Sequence, residues 1–371
     1  MWVGIITIKD YKNYGNRFQN YAMCKLIENY GLKPLNVLFH TKNGMIERSR
    51  TQVRRLIKKV LPVPVIYLRQ CHKEQKEKRS RNFRKFTEET MGKPLVIFAK
   101  QYEDIAGKIK EERFACFIAG SDQIWNPEFA GSERYFLTFA PPEKRIAFAA
   151  SIGQSELPDE IKSRYAPMLK EMKYISVREE TAASLVQEMT GRSPEVMPDP
   201  TLLLRRQQWE ELARKPALSL PERYILVFFL GNLPGQAIRD FAARKRLPVI
   251  YLNHRDYQEL FALGPAEFLY VMMHASYVLT DSFHGTVFSI LFERQFFVFR
   301  RKEAGVKDMF SRLETLLQNF SLEEREQPWE GVKETSDILE REWEQACRKL
   351  EQERSRADKV LGRLLKADSS A

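Results

Sequence analysis

The 371-residue sequence has no apolar run that approaches the roughly 20 residues needed for a helix to span a bilayer. Residues 1–8 have the pattern of a β-strand and lack the basic segment, apolar core and cleavage site of a secretory signal, so we predict a cytoplasmic protein. The cysteines have no paired spacing, which predicts neither a disulfide framework nor a zinc site. They are Cys24, Cys71, Cys116 and Cys347.

Two phosphate-binding fingerprints are also missing. The loop after the first strand lacks the GxGxxG pattern of dinucleotide-binding proteins, and GxxxxGK[ST] occurs nowhere in the chain. No cluster of metal-ligating residues is visible. We therefore predict no cofactor and no metal.

The net charge of +11 comes from one segment. Residues 41–85 hold 15 Lys or Arg against 3 Glu, and the rest of the chain is nearly neutral. Within 50–61, apolar residues follow helical spacing among basic ones, which fits either a helix lying on an anionic membrane surface or one packed on its own domain. The first alternative places the protein at the inner face of the plasma membrane. The segment lacks interleaved aromatics, so we predict no nucleic-acid partner.

Short apolar runs alternate with helical periodicity along the whole chain, which is typical of an α/β protein with mainly parallel strands. The length and the 43% hydrophobic fraction suit two domains. Strands are predicted at Trp2–Ile8, Pro34–Phe39, Phe114–Ala119, Arg145–Ala150, Tyr174–Val177, Glu195–Met197, Tyr224–Leu230, Pro248–Leu252, Tyr277–Thr280 and Phe296–Phe299.

The same patterns predict the domain organisation. The N-terminal α/β domain covers 1–200 and contains a basic helical segment at 41–93; a linker at 201–222 follows. The C-terminal α/β domain covers 223–333, and residues 334–371 form a charged helix that packs back on the body. Its apolar face is predicted to contain Leu339, Trp343, Cys347, Leu350, Val360, Leu361 and Leu364.

In open α/β sheets, ligands bind at the loops that follow the carboxyl ends of the strands. The first such loop contains Asn16, which can cap the next helix, and Arg17 and Gln19, which can donate to an anion or a sugar hydroxyl. A capped helix with a solvated Arg explains this loop equally simply. Gly15 is expected to permit its tight turn.

The second loop follows the apolar strand 114–119 with the sequence GSDQIWNP. Its Asp122 can accept a proton or hold substrate hydroxyls. A cap-and-turn role explains Ser121 and Asp122 but not Gln123.

Arg178 ends a short strand in the third loop, where its guanidinium can reach the same rim, although an ion pair with an adjacent glutamate is an alternative. The fourth loop carries Ser282 as an N-cap and His284 in the first helical turn, a position that favours bound anions. Gly285 in that turn is expected to leave room for a ligand.

These blocks together resemble the polysaccharide pyruvyl transferase family. The resemblance rests on residues 13–22, GSDQIWNP, SVRE at 176–179, DPTLL at 199–203, GPAEF at 264–268, DSFHGT at 281–286 with Ser289, and Ser311-Arg312. Each block is weak alone, but the ordered set covers most of the chain and is specific.

The resemblance implies two Rossmann-like domains in a glycosyltransferase GT-B-like arrangement, with the site between them. It implies transfer of the pyruvyl group of phosphoenolpyruvate onto two hydroxyls of one sugar, with a cyclic ketal and phosphate as products. The saccharide acceptor belongs to a cell-surface glycan or its lipid-linked precursor. A GT-B-type glycosyltransferase that uses a sugar nucleotide is the alternative.

By the same resemblance, Arg178 and His284 hold the donor, and Asp122 is the best match to an Asp implicated in the family. From the chemistry of ketal formation we hypothesise that His284 is the general acid and that Asp122 is a base or orients the acceptor hydroxyl. Arg17 and Arg312 are secondary anion contacts. The remaining predicted substrate-binding residues are Asn16, Gln19, Ser121, Gln123, Ser282, Phe283, Gly285 and Thr286.

Overall fold

The computed structural model describes residues 1–41, 63–99, 102–128, 132–254, 257–302, 310–333 and 337–366. The predicted membrane-contacting helix at 50–61 lies outside these ranges. No helix in the described ranges is long and apolar enough to cross a bilayer.

The N-terminal domain is built on a parallel sheet whose described strands run in the order β3-β2-β1-β4-β5-β6-β7. Helices connect them, so the carboxyl ends of all these strands meet at one edge. The strands are β1 (Trp2–Ile6), β2 (Lys33–Thr41), β3 (Leu95–Ala99), β4 (Phe114–Ala119), β5 (Arg145–Ala150), β6 (Tyr174–Val177) and β7 (Glu195–Val196).

The C-terminal domain has a second parallel sheet, with its described strands in the order β12-β11-β10-β8-β9. These strands are β8 (Ile225–Phe228), β9 (Val249–Leu252), β10 (Tyr277–Thr280), β11 (Gln295–Phe299) and β12 (Glu326–Gln327). Two parallel sheets with connecting helices confirm the predicted α/β class and its GT-B-like arrangement of two Rossmann-like domains.

Some helices of the described ranges begin or end at residues that stabilise a helix terminus. Asn13 and Ser282 accept hydrogen bonds as N-caps, and Gly191 ends its helix in the left-handed conformation with φ 74°. The helices are α1 (Tyr14–Glu28), α2 (Val63–Met91), α3 (Asp159–Lys170), α4 (Glu180–Thr190), α5 (Pro200–Leu203), α6 (Arg206–Leu212), α7 (Gly235–Lys245), α8 (Gln258–Phe261), α9 (Pro265–Met273), α10 (Phe283–Leu291), α11 (Ser311–Phe320) and α12 (Glu340–Lys366).

Helix α1 joins the two domains through its aromatic face. The Tyr14 ring stacks on Phe268 of α9 with centroids 4.4 Å apart, and Phe18 contacts Phe288 of α10 at 4.8 Å. The Tyr14 hydroxyl also donates to the carbonyl of Leu263 at 2.8 Å. These contacts set the position of the first turn of α1 against α10, and α10 carries His284.

The charged helix α12 returns to the N-terminal domain. Its residues Val360 and Leu361 are buried in a cluster with Ile5 of β1, and Arg354 donates to the carbonyl of Leu204 at 2.7 Å, just after α5. Leu339 was expected on the buried face, but it lies before the helix and is 47% exposed. Cys347, predicted on the same face, is also exposed.

Several strand boundaries differ from the predictions. β3 and β12 were not predicted, and β1 ends at Ile6 rather than Ile8. β8 ends at Phe228 because the backbone N–H of Leu230 donates to the Asp281 carboxylate at 2.7 Å instead of continuing the ladder. The interval predicted as a linker, 201–222, contains α6.

Candidate active site

The polar loops predicted from the sequence converge between the two domains. The loops after β4, β6 and β7 meet the N-terminus of α10, which follows β10 in the other sheet. Within this site, Arg178 contacts Phe283 and Asp199 contacts His284 across the domains. The side chains of this site come from both sheets, so neither domain alone contains it.

Asp199 lies at the centre of this cluster and is fully buried. Its Oδ2 accepts hydrogen bonds from the Ser121 hydroxyl at 2.7 Å and from Arg178 Nη1 at 2.6 Å. Its Oδ1 accepts from the backbone N–H and the hydroxyl of Thr201, at 3.0 and 2.7 Å. The carboxylate thus caps α5 while it neutralises a buried guanidinium.

Burial by itself opposes ionisation of Asp199. The neighbouring His284 and Arg178, with the N–H of Thr201, outweigh it and hold the pKa of the carboxyl far below its usual range. Asp199 is therefore a permanent anion in the folded protein at neutral pH.

Arg178 pairs with Asp199 rather than with either adjacent glutamate. Its side chain is 2% exposed, and its Cζ lies 4.4 Å from the centroid of the Phe283 ring. Only Nη1 has hydrogen-bond partners among the described residues; Nε and Nη2 are buried without one. Because a buried donor without a partner is costly, these two N–H groups are suited to an anionic ligand.

The neighbouring Glu179 has a structural role. Its Oε1 accepts hydrogen bonds from the Ser151 hydroxyl at 2.9 Å and from the N–H groups of Ile152 and Gly153, both at 3.0 Å. This carboxylate holds the loop after β5 against the start of α4, and so leaves Arg178 to Asp199.

His284 lies in the first turn of α10, behind the Ser282 N-cap. Its Nε2 is 3.7 Å from Asp199 Oδ1, beyond hydrogen-bond distance, and has no hydrogen-bond partner in the described part of the chain. A Cβ added to Gly15 would lie only 2.0 Å from His284 Nδ1. The expected tight turn at Gly15 is wrong: Gly15 lies within α1 and lets the imidazole ring approach that helix.

Asp122 adopts a left-handed conformation with φ 73° and is half-buried at the edge of the cluster. Its Oδ2 accepts from the Asn16 side chain at 2.9 Å, and its Oδ1 accepts from the backbone N–H of Gln123 at 2.8 Å. Asn16 was expected to cap α1, but Asn13 does so and Asn16 instead holds the Asp122 carboxylate.

Arg312 reaches the site from the first turn of α11. The side-chain amide of Gln123 is oriented with its oxygen towards Arg312. That oxygen accepts hydrogen bonds from both Nη atoms of Arg312, each at 3.1 Å. Burial, aided by the like charge of Arg178, lowers the pKa of Arg312 to about 10, so it stays protonated at neutral pH. Its Nε is buried without a partner in the described ranges. The site thus holds two neighbouring guanidinium groups.

Arg17 and Gln19, two of the predicted site residues, make hydrogen bonds within the N-terminal domain. Arg17 donates to Asn16 and to the carbonyl of Ile8, at 2.5 and 3.2 Å, and no contact in the described structure joins it to Arg178 or His284. Gln19 donates to the Thr7 hydroxyl at 2.9 Å, which ties α1 to the end of β1.

Thr286 turns its hydroxyl back to the carbonyl of Ser282 at 3.2 Å, inside the first turn of α10. A Cβ on Gly285 would meet the Thr280 hydroxyl at 2.5 Å, so the space at this glycine is taken by β10 rather than by a ligand. The expectation of ligand room at Gly285 is therefore wrong.

Asp199 is the residue whose role the sequence did not reveal. It was noticed only within a block of the family resemblance, because its position before Pro200 looks like a helix cap, which it also is. Within the described residues, no group of His, Cys, Asp and Glu is arranged to hold a metal ion.

Fold and site together define a GT-B-like protein with a cluster of arginines and a histidine between its domains. The chain belongs to the polysaccharide pyruvyl transferase family, whose model matches residues 13–303. No curated protein matches the chain. Family membership supports a transferase that modifies polysaccharides.

Solved structures with similarity to the chain come from sugar-nucleotide and lipopolysaccharide enzymes. A putative UDP-N-acetylglucosamine 2-epimerase from Listeria monocytogenes is 12% identical, with a TM-score of 0.46 and 97% of each chain covered. The UDP-GlcNAc 2-epimerase from Neisseria meningitidis, bound to UDP-GlcNAc, is 11% identical, with a TM-score of 0.41 and coverage of 99% and 98%. The ADP-heptose heptosyltransferase II from E. coli is 11% identical, with a TM-score of 0.37 and coverage of 95% and 99%.

Proposed function

We propose that the protein transfers the pyruvyl group of phosphoenolpyruvate onto two hydroxyls of one sugar, forming a cyclic ketal and releasing phosphate. One observation carries the proposal beyond the family: the buried Nε and Nη2 of Arg178 and Nε2 of His284 have no partners in the described ranges. They lie around the same carboxylate, Asp199.

The charges at this site suit a small dianionic or trianionic donor. Phosphoenolpyruvate carries a carboxylate and a phosphate, and the site offers two guanidinium groups, that of the buried Arg178 and that of the half-buried Arg312. The N-terminus of α10 adds a favourable dipole next to His284. Bidentate guanidinium contacts are among the strong hydrogen bonds that a carboxylate or a phosphate accepts, and Nε and Nη2 of Arg178 can supply one. Arg312 offers its Nε as a second anchor.

The chemistry needs one acid and one base. A proton added to the methylene carbon of phosphoenolpyruvate gives a methyl group and a cationic carbon, to which the first sugar hydroxyl adds with loss of its proton. The bond from that carbon to the phosphate oxygen then breaks, and the second hydroxyl closes the ketal while its proton leaves. The products are the ketal and hydrogen phosphate, so atoms and charge balance.

His284 is the acid in this scheme. Its Nε2 lies 3.7 Å from Oδ1 of the buried Asp199 carboxylate. Asp199 also holds Arg178 at 2.6 Å, so one carboxylate positions the acid and the donor anchor together.

Asp122 is the group for the acceptor hydroxyl. Its carboxylate is oriented by Asn16 and by the N–H of Gln123, and it is less buried than Asp199. A half-exposed, oriented carboxylate is suited to accept a hydroxyl proton and release it to solvent.

The test is incubation with phosphoenolpyruvate and a panel of saccharides, free and lipid-linked, with phosphate release and the ketal methyl signal in NMR as readouts. We expect His284→Gln to lower kcat by about 10²- to 10⁴-fold, the usual contribution of a general acid. His274→Gln is the matched control, because His274 is exposed and its ring contacts the carbonyl of Tyr270.

Full activity of His284→Gln would remove His284 as the acid. Binding of a nucleoside diphosphate sugar without binding of phosphoenolpyruvate would instead favour a glycosyltransferase.

A further inference from the structure

A cavity lies at the carboxyl ends of β8 and β9. Its volume is about 640 Å³, which is large enough for a disaccharide-sized ligand. The described lining residues that can contact a ligand through polar or aromatic groups include Lys12, Lys76, Tyr251 and Asn253. We call it the β8–β9 pocket. The proposed reaction assigns it no role.

The β8–β9 pocket borders the proposed reaction centre on the C-terminal side. Its lining residue Gly231 donates to the Asp281 carboxylate at 2.9 Å, and Arg301 pairs with the same carboxylate at 2.9 Å. Asp281 directly precedes the Ser282 cap of α10. The wall of the pocket is therefore built on the residue that leads into the His284 turn.

The β8–β9 pocket approaches the same centre from the N-terminal side as well. Lys12 lines it, and Gly15, three residues later in the chain, contacts His284. A ligand in the pocket that extends towards α10 would thus pass between the loop before α1 and the end of β8.

One wall of the β8–β9 pocket is aromatic and partly open. The rings of Tyr251 and Tyr257 are stacked, with centroids 4.9 Å apart and an angle of 12° between their planes. Tyr251 is half-buried and Tyr257 is 42% exposed. A half-exposed aromatic face combines apolar area with a polar tip, and this suits the apolar face of a pyranose ring.

The other wall is basic. Lys12 and Lys76 also line an adjoining groove of about 500 Å³ along α2. The groove is also lined by the basic residues Lys73, Arg81 and Arg84. Its described lining contains a single carboxylate, that of Glu77. This local excess of positive charge at the mouth of an aromatic pocket favours a ligand that is part sugar and part anion.

We propose that the β8–β9 pocket binds the acceptor as a glycosyl phosphate, with the sugar ring on Tyr251 and the phosphoryl group near Lys12 and Lys76. As an assignment of the acceptor it rests on the proposed function, but the binding itself does not. The phosphoryl group is the shared chemistry of a free sugar phosphate, a nucleoside diphosphate sugar and a prenyl diphosphate sugar.

The experiment measures binding directly, without phosphoenolpyruvate, by calorimetric titration of the full chain. Hexoses and N-acetylhexosamines are compared with their 1-phosphates, with UDP-linked forms and with short-chain prenyl diphosphate forms. We expect the phosphorylated sugars to bind at least about tenfold more tightly than the neutral ones, because charge-assisted hydrogen bonds are the stronger class. The form that binds most tightly identifies the source of the phosphoryl group.

One variant in each wall of the pocket tests what that wall contributes to binding, and a third variant is the control. Lys12→Gln combined with Lys76→Gln should remove most of the preference for phosphate. Lys78→Gln combined with Lys85→Gln, at exposed positions of α2 outside both cavities, should leave it unchanged. Tyr251→Ala should weaken neutral and phosphorylated sugars alike by a few-fold, with an unchanged melting temperature.

Equal affinity for neutral and phosphorylated sugars would overturn the proposal. An equal loss of the preference for phosphorylated sugars in the Lys12/Lys76 and Lys78/Lys85 double variants would overturn it too. Tight binding of UDP without a sugar, unaffected by Tyr251→Ala, would also overturn it. Binding of glycosyl phosphates without any turnover of phosphoenolpyruvate would leave this inference standing and count against the proposed reaction alone.

Discussion

The cluster around Asp199 and the β8–β9 pocket both lie at the carboxyl edges of parallel strands, yet they differ in packing. Asp199 and the Arg178 side chain are 0% and 2% exposed, and Asp199 makes four described hydrogen bonds to the protein. In the pocket, Tyr251 is half-buried, and Tyr257, whose ring stacks on it, is exposed. The comparison teaches that the ion pair is buried where hydrogen bonds fix its geometry and water is excluded, whereas the lysines of the pocket, Lys12 and Lys76, lie at exposed positions.

The largest expected effect is on the free energy of unfolding of the protein when the cluster is disrupted. Asp199→Asn leaves Arg178 as a buried charge without its counterion, and should lower the free energy of unfolding by roughly 3–5 kcal/mol. Urea unfolding at pH 7 measures this. The matched control is Glu171→Gln, which removes the 2.6 Å ion pair with Arg145 at a carboxylate that is 59% exposed, and should change stability by at most about 1 kcal/mol.

The pH dependence of the same variant has a defined sign. A carboxyl whose pKa is lowered by folding contributes stability that is fully present above its ordinary pKa of about 3.9 and is lost as the pH falls below it. The stability difference between the wild type and Asp199→Asn should therefore narrow below about pH 4. A difference that is constant down to pH 2 would contradict the ionised state of Asp199.

The next effect separates two arginines. Arg312→Gln should weaken phosphoenolpyruvate binding by about 10- to 150-fold, as expected for loss of a charged hydrogen bond worth roughly 1.5–3 kcal/mol. Arg17→Gln should leave that affinity unchanged, because Arg17 donates to Ile8 and Asn16. Tyr251→Ala should leave it unchanged as well. If all three variants lost the same amount of phosphoenolpyruvate affinity, the assignment of the donor to the Asp199 cluster rather than to the pocket would be wrong.

The smallest effect concerns the fit between α1 and α10. Gly15→Ala places a Cβ 2.0 Å from His284 Nδ1, so the ring must shift, at a cost of roughly 1–3 kcal/mol of stability. We expect kcat to fall more than KM rises, because the acid moves while the donor anchors stay. Gly107→Ala, where an added Cβ meets nothing within 4 Å, is the control, and thermal unfolding with steady-state kinetics distinguishes the two.

Local signals predicted much of the fold. Apolar runs followed by polar loops marked β4, β6 and β10, because a strand in a parallel sheet is buried on both faces. Ser282 was identified as a cap from its place before an apolar helical pattern, and the structure confirms it. Edge strand β3 was not predicted; its burial is incomplete, with Phe98 65% exposed, and it follows a long basic stretch.

The hydrogen-bond partners of side chains were predicted less well than the strands and helices of the backbone. Arg178 was weighed against adjacent glutamates, but its partner Asp199 is 21 residues away. Gln19 carries the same donor groups as a sugar-binding residue, and only the packing of α1 shows that its amide faces Thr7. Distance along the chain says little about such pairs, because they form between loops that the sheet brings together.

By itself, the sequence determined the two parallel sheets, the family and the loops on which chemistry is concentrated, since periodicity, capping and ordered motifs are local properties of a chain. The tertiary structure alone decided which polar groups satisfy one another and which stay available to a ligand. That choice depends on ångström-scale distances between residues of different domains, as with Asp199, Arg178 and His284. Hydrogen bonds and ion pairs are strong only at such distances and in such burial, and no linear pattern records either.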